Sequence, residues 1–391
     1  MNERTRAYLR GRFGDYYRRS ERALPPAAER REWGYIPWSA GSTTMIRHKS
    51  VLDLGNVEGF LARERPRHVY FSAGRYRDPG AGTMSEKDWL ASDLVFDLDA
   101  DHLPGVDPDT DSYEEMLAAC KGELWDLLER LENDFGFEET QVVFSGGRGY
   151  HVHVRDPGVR ELGRDARKEI VAYVRGADLE FEDLLRTEAV AGIGRSTPAD
   201  KRTLDPTGGW SRLVHRRLVG LVDDLLTMEE GDALARLEAF DGIGEGRASA
   251  ILRAAETNYG AIEAGNVDVH PAFLTLARRV FERTLREESA AIDEPVTTDI
   301  NRLIRFPGSL HGGTGLVVTP IGRENLASFD PLVDAVPDRF VGREVRIRWN
   351  DDGPPVRLRG ETFRREETVT TVPEYAAVFL MARGRAERET E

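Results

Sequence analysis

Residues 92–154 constrain this chain more than any other stretch. SDLVFDLDAD (92–101) is an apolar run whose polar members alternate near its end, the pattern of a buried strand that reaches a surface. QVVFSGG and YHVHV read as two further strands joined by the turn SGGRG. Between them, SYEEMLAACKGELWDLLERLENDFGF sets Met116, Leu117, Cys120, Leu124, Leu127, Leu128 and Leu131 on one helical face. Strand, long helix, strand, turn, strand is an α/β pattern, with the helix laid on the sheet.

The flanks extend that frame. TRAYLRGRFGDYYRRSERAL places Leu9, Phe13, Tyr16 and Tyr17 at helical spacing, WGYIPW reads as an irregular aromatic stretch, and HVYFSAG reads as a short strand. From 157 to 290 the periodicity turns mostly helical, as in RDARKEIVAYVRG and FLTLARRVFERTLREES. The sheet resumes at INRLIRFPGSLHGGTGLVVTPI and EVRIRW, and PEYAAVFLMARGRAER reads as a closing helix. The expected fold is α/β (α+β), a mixed β-sheet flanked by helices. Residues 1–156 and 291–391 form its two parts, and 157–290 an inserted helical subdomain.

No apolar run approaches the roughly twenty residues of a membrane span. MNERTRAYLRGRF is charged from its second residue and has no apolar stretch behind it, so a cytoplasmic protein is expected. The formal net charge of −15 looks wrong for a protein that grips phosphates. Its make-up matters more: lysine is confined to Lys49, Lys87, Lys121, Lys168 and Lys201 while arginine abounds. An acidic, lysine-poor surface suits a halophilic host, where salt screens long-range forces and binding rests on short hydrogen bonds and forked arginines. Cys120 is the only cysteine, which excludes an intrachain disulfide and a cysteine-rich zinc cluster.

Three elements bear chemistry. Asp97 and Asp99 are i and i+2 on a strand, so both carboxylates project to one face and repel each other unless a cation lies between them; Mg²⁺ or Mn²⁺ is the usual one. In SGGRGYH, the glycines let backbone N–H groups approach a phosphate, and Ser145, Arg148 and His151 add donors. In DEPVTTDINRLIRFPGSLHGGTG, Asp293 and Asp299 are acidic candidates, and Arg302, Arg305, Ser309 and His311 form a polar cluster around a Pro-Gly break. Against each stands a bland reading: solvated strand-end acids, a hairpin turn, a loop after a helix. FDGIGEGRASAIL resembles half of a helix–hairpin–helix motif, and no site is placed there.

Together, KDWLASDLVFDLDADH, SGGRGYHVHV and VTTDINRLIRFPGSLHGGTGL resemble the archaeo-eukaryotic primase small subunit over most of the chain. That resemblance implies Asp97, Asp99 and Asp293, the last preferred over Asp299 because it precedes the Val-Thr pair, as catalytic carboxylates binding two divalent metals. It implies Ser145, Arg148, His151, Arg305 and His311 as ligands of the nucleotide phosphates. It further implies a single-stranded DNA template, nucleoside triphosphates, and a large primase subunit bearing an iron–sulfur cluster. Relatives usually carry a small zinc site between the first two motifs; here that interval offers only His102 and Cys120, so no structural zinc is expected. Two rivals from other classes are a haloacid-dehalogenase-type phosphatase, from FDLDAD, and a non-catalytic nucleic-acid-binding protein. An end-joining primase–polymerase would share all three motifs.

Overall fold

A computed structural model describes residues 1–39, 44–108, 110–190, 199–288 and 292–389. The chain forms two compact units. The first comprises Met1–Trp125, Phe137–Val171 and Ala291–Glu391; the second comprises Asp126–Gly136 and Ala172–Ala290.

In the first unit, β1 (Trp33–Ile36), β2 (Ile46–Lys49), β3 (His68–Ser72), β4 (Leu94–Asp99), β5 (Thr140–Phe144), β6 (Gly149–Val154), β7 (Leu303–Arg305) and β8 (Thr319–Ile321) build two four-stranded sheets. Their orders are β7-β3-β1-β2 and β8-β5-β6-β4, and every described pair is antiparallel. Helices and antiparallel sheets together make the α+β class. WGYIPW, expected to be an irregular aromatic stretch, supplies β1. Trp33 explains the outcome: it is buried against Phe306 and Phe71, so the strand gains two partners and a core contact.

The long helix spans Tyr113–Asn133. Its apolar face is buried at Met116, Leu117, Cys120, Leu124, Leu127, Leu128 and Leu131, each such leucine contributing roughly 1.5–3 kcal/mol. The closing helix is shorter than its periodicity implied. It runs Glu374–Ala382 and turns at Gly384 (φ +77°), after which Ala386–Arg388 pairs as a strand with Glu344–Trp349. Every residue of this helix is buried.

The second unit is helical, with Gly209–Thr227, Glu230–Glu238, Glu245–Glu263 and Pro271–Glu288 packed around Val214, Leu218, Ile251, Phe273 and Leu276. One hairpin, Leu185–Val190 with Ala199–Leu204, accompanies them. Among the described residues no helix is long and apolar enough to cross a membrane.

Candidate active site

The site begins with a register. β4 lies against β6 so that Asp97 faces His151 and Asp99 faces Gly149. Along β4, Leu94, Phe96 and Leu98 are buried while Asp97 and Asp99 stay partly exposed, the period-2 alternation the sequence carries. Gly149 is required by closeness, since a Cβ there would stand 1.7 Å from the Leu98 carbonyl oxygen. His151 is buried, with Nε2 3.5 Å from Asp97 Oδ1, too far for a firm hydrogen bond. Burial pulls its imidazole below the ordinary value and so keeps it neutral, with Asp97 pulling the other way.

The turn 145–148 is pinned from several sides. Gly146 takes φ +74°, Ser145 N–H donates to Gly149 C=O at 2.9 Å, and Gly147 N–H donates to Ser145 Oγ at 3.2 Å. Thr314 donates to the Gly146 carbonyl at 2.5 Å, and the Tyr113 hydroxyl donates to the Gly147 carbonyl. Arg148 forms an ion pair with Asp101 and places Nε 3.7 Å from Asp99 Oδ1, while Asp101 N–H donates to Asp99 Oδ1 at 3.2 Å.

His311 closes on the same turn. Its Nδ1 lies 3.3 Å from Gly313 N–H and 3.2 Å from the Thr314 hydroxyl oxygen, which hold the ring against the turn while Nε2 is left facing Gly147. That nitrogen lies 3.4 Å from where a Cβ on Gly147 would sit. Burial, then the Arg305 charge, hold this imidazole well below its ordinary value. His68 packs edge-on to it at 4.9 Å.

Asp97, Asp99, Ser145, His151, Arg302 and Arg305 line one cavity of about 330 Å³. Arg148 and His311 stand at the neighbouring turn. Asp293 has its backbone N–H on the Asp97 carbonyl at 3.2 Å, and its Oδ1 caps the short helix Glu294–Thr298 by accepting from Val296 N–H at 3.2 Å. Asp299 lines the cavity and accepts from Asn301 N–H at 2.9 Å. Among the described residues, no three His, Cys, Asp or Glu side chains group closely enough to cage a metal. Magnesium does not need such a cage: it commonly binds through one or two carboxylates and completes its shell with substrate phosphates and water. Two partly exposed aspartates on one strand face, beside phosphate-grade donors, suit that demand. Cys120 points elsewhere, buried with Sγ 3.7 Å from the Leu98 carbonyl.

Four contributors escaped the sequence reading. Arg47 and Tyr70 reach the cavity from β2 and β3, and Asn301 from the loop before β7. Asp101, taken for plain loop, is the partner of Arg148. Strand pairing is the missing signal: Tyr70 stands opposite Arg305 only because β3 pairs with β7. Arg47 is held from beneath by Glu32, a fully buried carboxylate 3.1 Å from its Nε.

Paired carboxylates, a glycine turn and arginines around one cleft, set in an α+β fold, are the residue types that phosphate chemistry uses. Likeness to known proteins narrows it. A family described as DNA primase small subunit matches residues 96–323. DNA primase small subunit PriS of Haloarcula marismortui is 60% identical, and that of Natronomonas pharaonis 61%, each over the whole of both chains. The protein of that name from Methanococcoides burtonii is 39% identical over 99% of both. The chain belongs to the DNA primase small-subunit family.

Proposed function

We propose that this chain is the catalytic small subunit of a DNA primase, copying a single-stranded DNA template from nucleoside triphosphates into short RNA primers. The observation behind this reading is the Asp97–Asp99 pair opening into a cavity walled by Arg302, Arg305 and Ser145. In the reaction, the 3′-oxygen of the growing strand bonds to the α-phosphorus, the bond from that phosphorus to its bridging oxygen breaks, and pyrophosphate leaves with the electron pair. The hydroxyl proton passes to solvent. Asp97, Asp99 and Asp293 would hold Mg²⁺ or Mn²⁺, which when bound offsets negative charge on the attacking and leaving oxygens. The Ser145 hydroxyl and the His311 ring, both at the glycine turn, would contact the phosphates. Arg148 keeps guanidinium donors beyond its bond to Asp101, and Arg302 and Arg305, which line the same cavity, would offset charge on the departing pyrophosphate. No protein nucleophile is needed, because positioning and charge compensation do the work.

A large subunit that bears the iron–sulfur cluster would complete the enzyme, since the single buried cysteine here cannot ligate one. The relatives' shared name, small subunit, favours that replicative assembly over an end-joining polymerase, and family membership removes the phosphatase reading. Several relatives come from haloarchaea, in keeping with the acidic surface as an adaptation to salt.

The test is nucleotide incorporation on an unprimed single-stranded template in concentrated salt, with Mg²⁺ or Mn²⁺. Wild type should give product, and Asp97→Asn or Asp99→Asn should lose at least ~100-fold with unchanged melting. Retained activity in either variant would remove the metal assignment.

A further inference from the structure

The helix Glu374–Ala382 is packed beside the phosphate-handling loops. A Cβ on Gly315, in the loop that follows His311, would stand 2.5 Å from Val378 Cγ1, and Phe379 meets the Tyr113 ring edge-on at 5.3 Å. The next residue past the helix is Arg383. Among the described residues it has no carboxylate partner, although Arg385 pairs with Asp351 at 3.1 Å and Arg148 pairs with Asp101.

Its guanidinium rests on aromatic faces, 4.6 Å from the centre of the Tyr113 ring and 5.6 Å from that of Phe379. Tyr113 is itself buried and donates its hydroxyl to the Gly147 carbonyl. So one ring joins Arg383 to the turn, one residue from Arg148, and Arg383 lies within electrostatic reach of both Arg148 and Asp101. Arg148 faces Asp99 and Asp101, whereas Arg383 has no carboxylate of its own among the described residues and leaves an uncompensated positive charge beside the turn. An anion with several oxygens relieves it best, and guanidinium forks match phosphate.

We propose that Arg383 is a further phosphate-contacting residue of the site, carried on the Tyr113 ring so that it and Arg148 grip one phosphate group. The phosphate comes either from the incoming nucleotide or from the backbone of the nucleic acid. The inference rests on reading the 145–148 turn as a phosphate site, and the same experiment tests that reading separately through Arg148.

The test is equilibrium binding of two probes, a nucleoside triphosphate with Mg²⁺ and a single-stranded oligodeoxynucleotide without a terminal phosphate. Wild type is compared with Arg383→Met, Arg383→Lys and Arg148→Ala, with KM and kcat for incorporation measured alongside. Methionine keeps an unbranched stem over the Tyr113 ring, so a purely structural Arg383 would leave both affinities and KM unchanged. Arg383→Met should weaken one probe about tenfold and raise the matching KM with little change in kcat, while Arg383→Lys retains most of the affinity. Loss confined to the triphosphate identifies the nucleotide as the source, and loss confined to the oligonucleotide identifies the strand. If Arg148→Ala weakens binding and Arg383→Met does not, the inference fails while the phosphate turn stands. If neither variant weakens either probe, the phosphate turn fails as well. Should Arg383→Met melt early, Arg383→Gln keeps a polar stem of similar length and is read in the same way.

Discussion

Acid should weaken this fold through His153, by an amount that can be worked out. The side chain is wholly buried on β6, stacked on Phe71 with ring centres 6.1 Å apart and planes 8° from parallel. Neither ring nitrogen has a described partner. Burial holds its pKa well below 6.5, and the Arg155 and Arg31 guanidinium groups act in the same direction. Asp93 pulls the other way, but its carboxylate is already taken by Arg31 at 2.8 Å and by Arg75 and Arg155 at 3.1 Å. In the unfolded chain the imidazole titrates near its ordinary value, so below that pH the unfolded state holds a proton the folded state lacks. The stability contribution is therefore complete above about pH 6.5 and is lost as pH falls below it. For one histidine kept neutral throughout, the loss between pH 7 and pH 5 is about 2 kcal/mol. Denaturant unfolding at both pH values, in wild type and His153→Leu, reads this directly. Comparing pH dependences rather than stabilities cancels the packing change, and other titrating groups contribute to both proteins alike. Wild type should lose about 2 kcal/mol more than the variant over that interval. Equal losses would show that the folded protein accommodates a charged His153, and the reasoning would be wrong.

Two further outcomes follow from the same geometry. Gly149→Ala forces a Cβ to within 1.7 Å of the Leu98 carbonyl, so β4 and β6 must part; we expect about 3 kcal/mol or more of lost stability in thermal melting, with loss of incorporation because Asp99 pairs with this residue. Asparagine caps helices as well as aspartate, so Asp293→Asn should leave melting unchanged and cut incorporation at least ~100-fold, while Asp299→Asn keeps most of it; the reverse pattern would move the third carboxylate to Asp299.

What the sequence makes legible here is whatever has a short period. Asp97 and Asp99 stand out because a strand repeats every two residues, and Ser145 to His151 because glycines mark a turn between two strands. The walls of the cavity have no such local trace. Tyr70 becomes a neighbour of Arg305 through a pairing that spans more than two hundred residues, and Arg47 depends on Glu32, whose burial no window around either residue reveals. WGYIPW misled for the same reason, because its two partner strands, and not its own glycine and proline, make it a strand.

The net charge of −15 poses the same problem on the scale of the whole chain. It counts every ionisable group equally, whereas most arginines away from the site are matched to acids, as Arg217 is to Glu287 and Glu288, Arg236 to Asp224, and Arg357 to Glu114 and Asp330. Arg302 and Arg305 line the cavity together with Asp97, Asp99 and Asp299, while Arg148 at the adjoining turn pairs with Asp101 and Arg383 rests on the Tyr113 ring. Adding divalent cations at Asp97 and Asp99 would leave this cleft positive inside an acidic protein. Phosphate attraction would then be short-ranged and confined to the cleft, the form of electrostatics that concentrated salt weakens least.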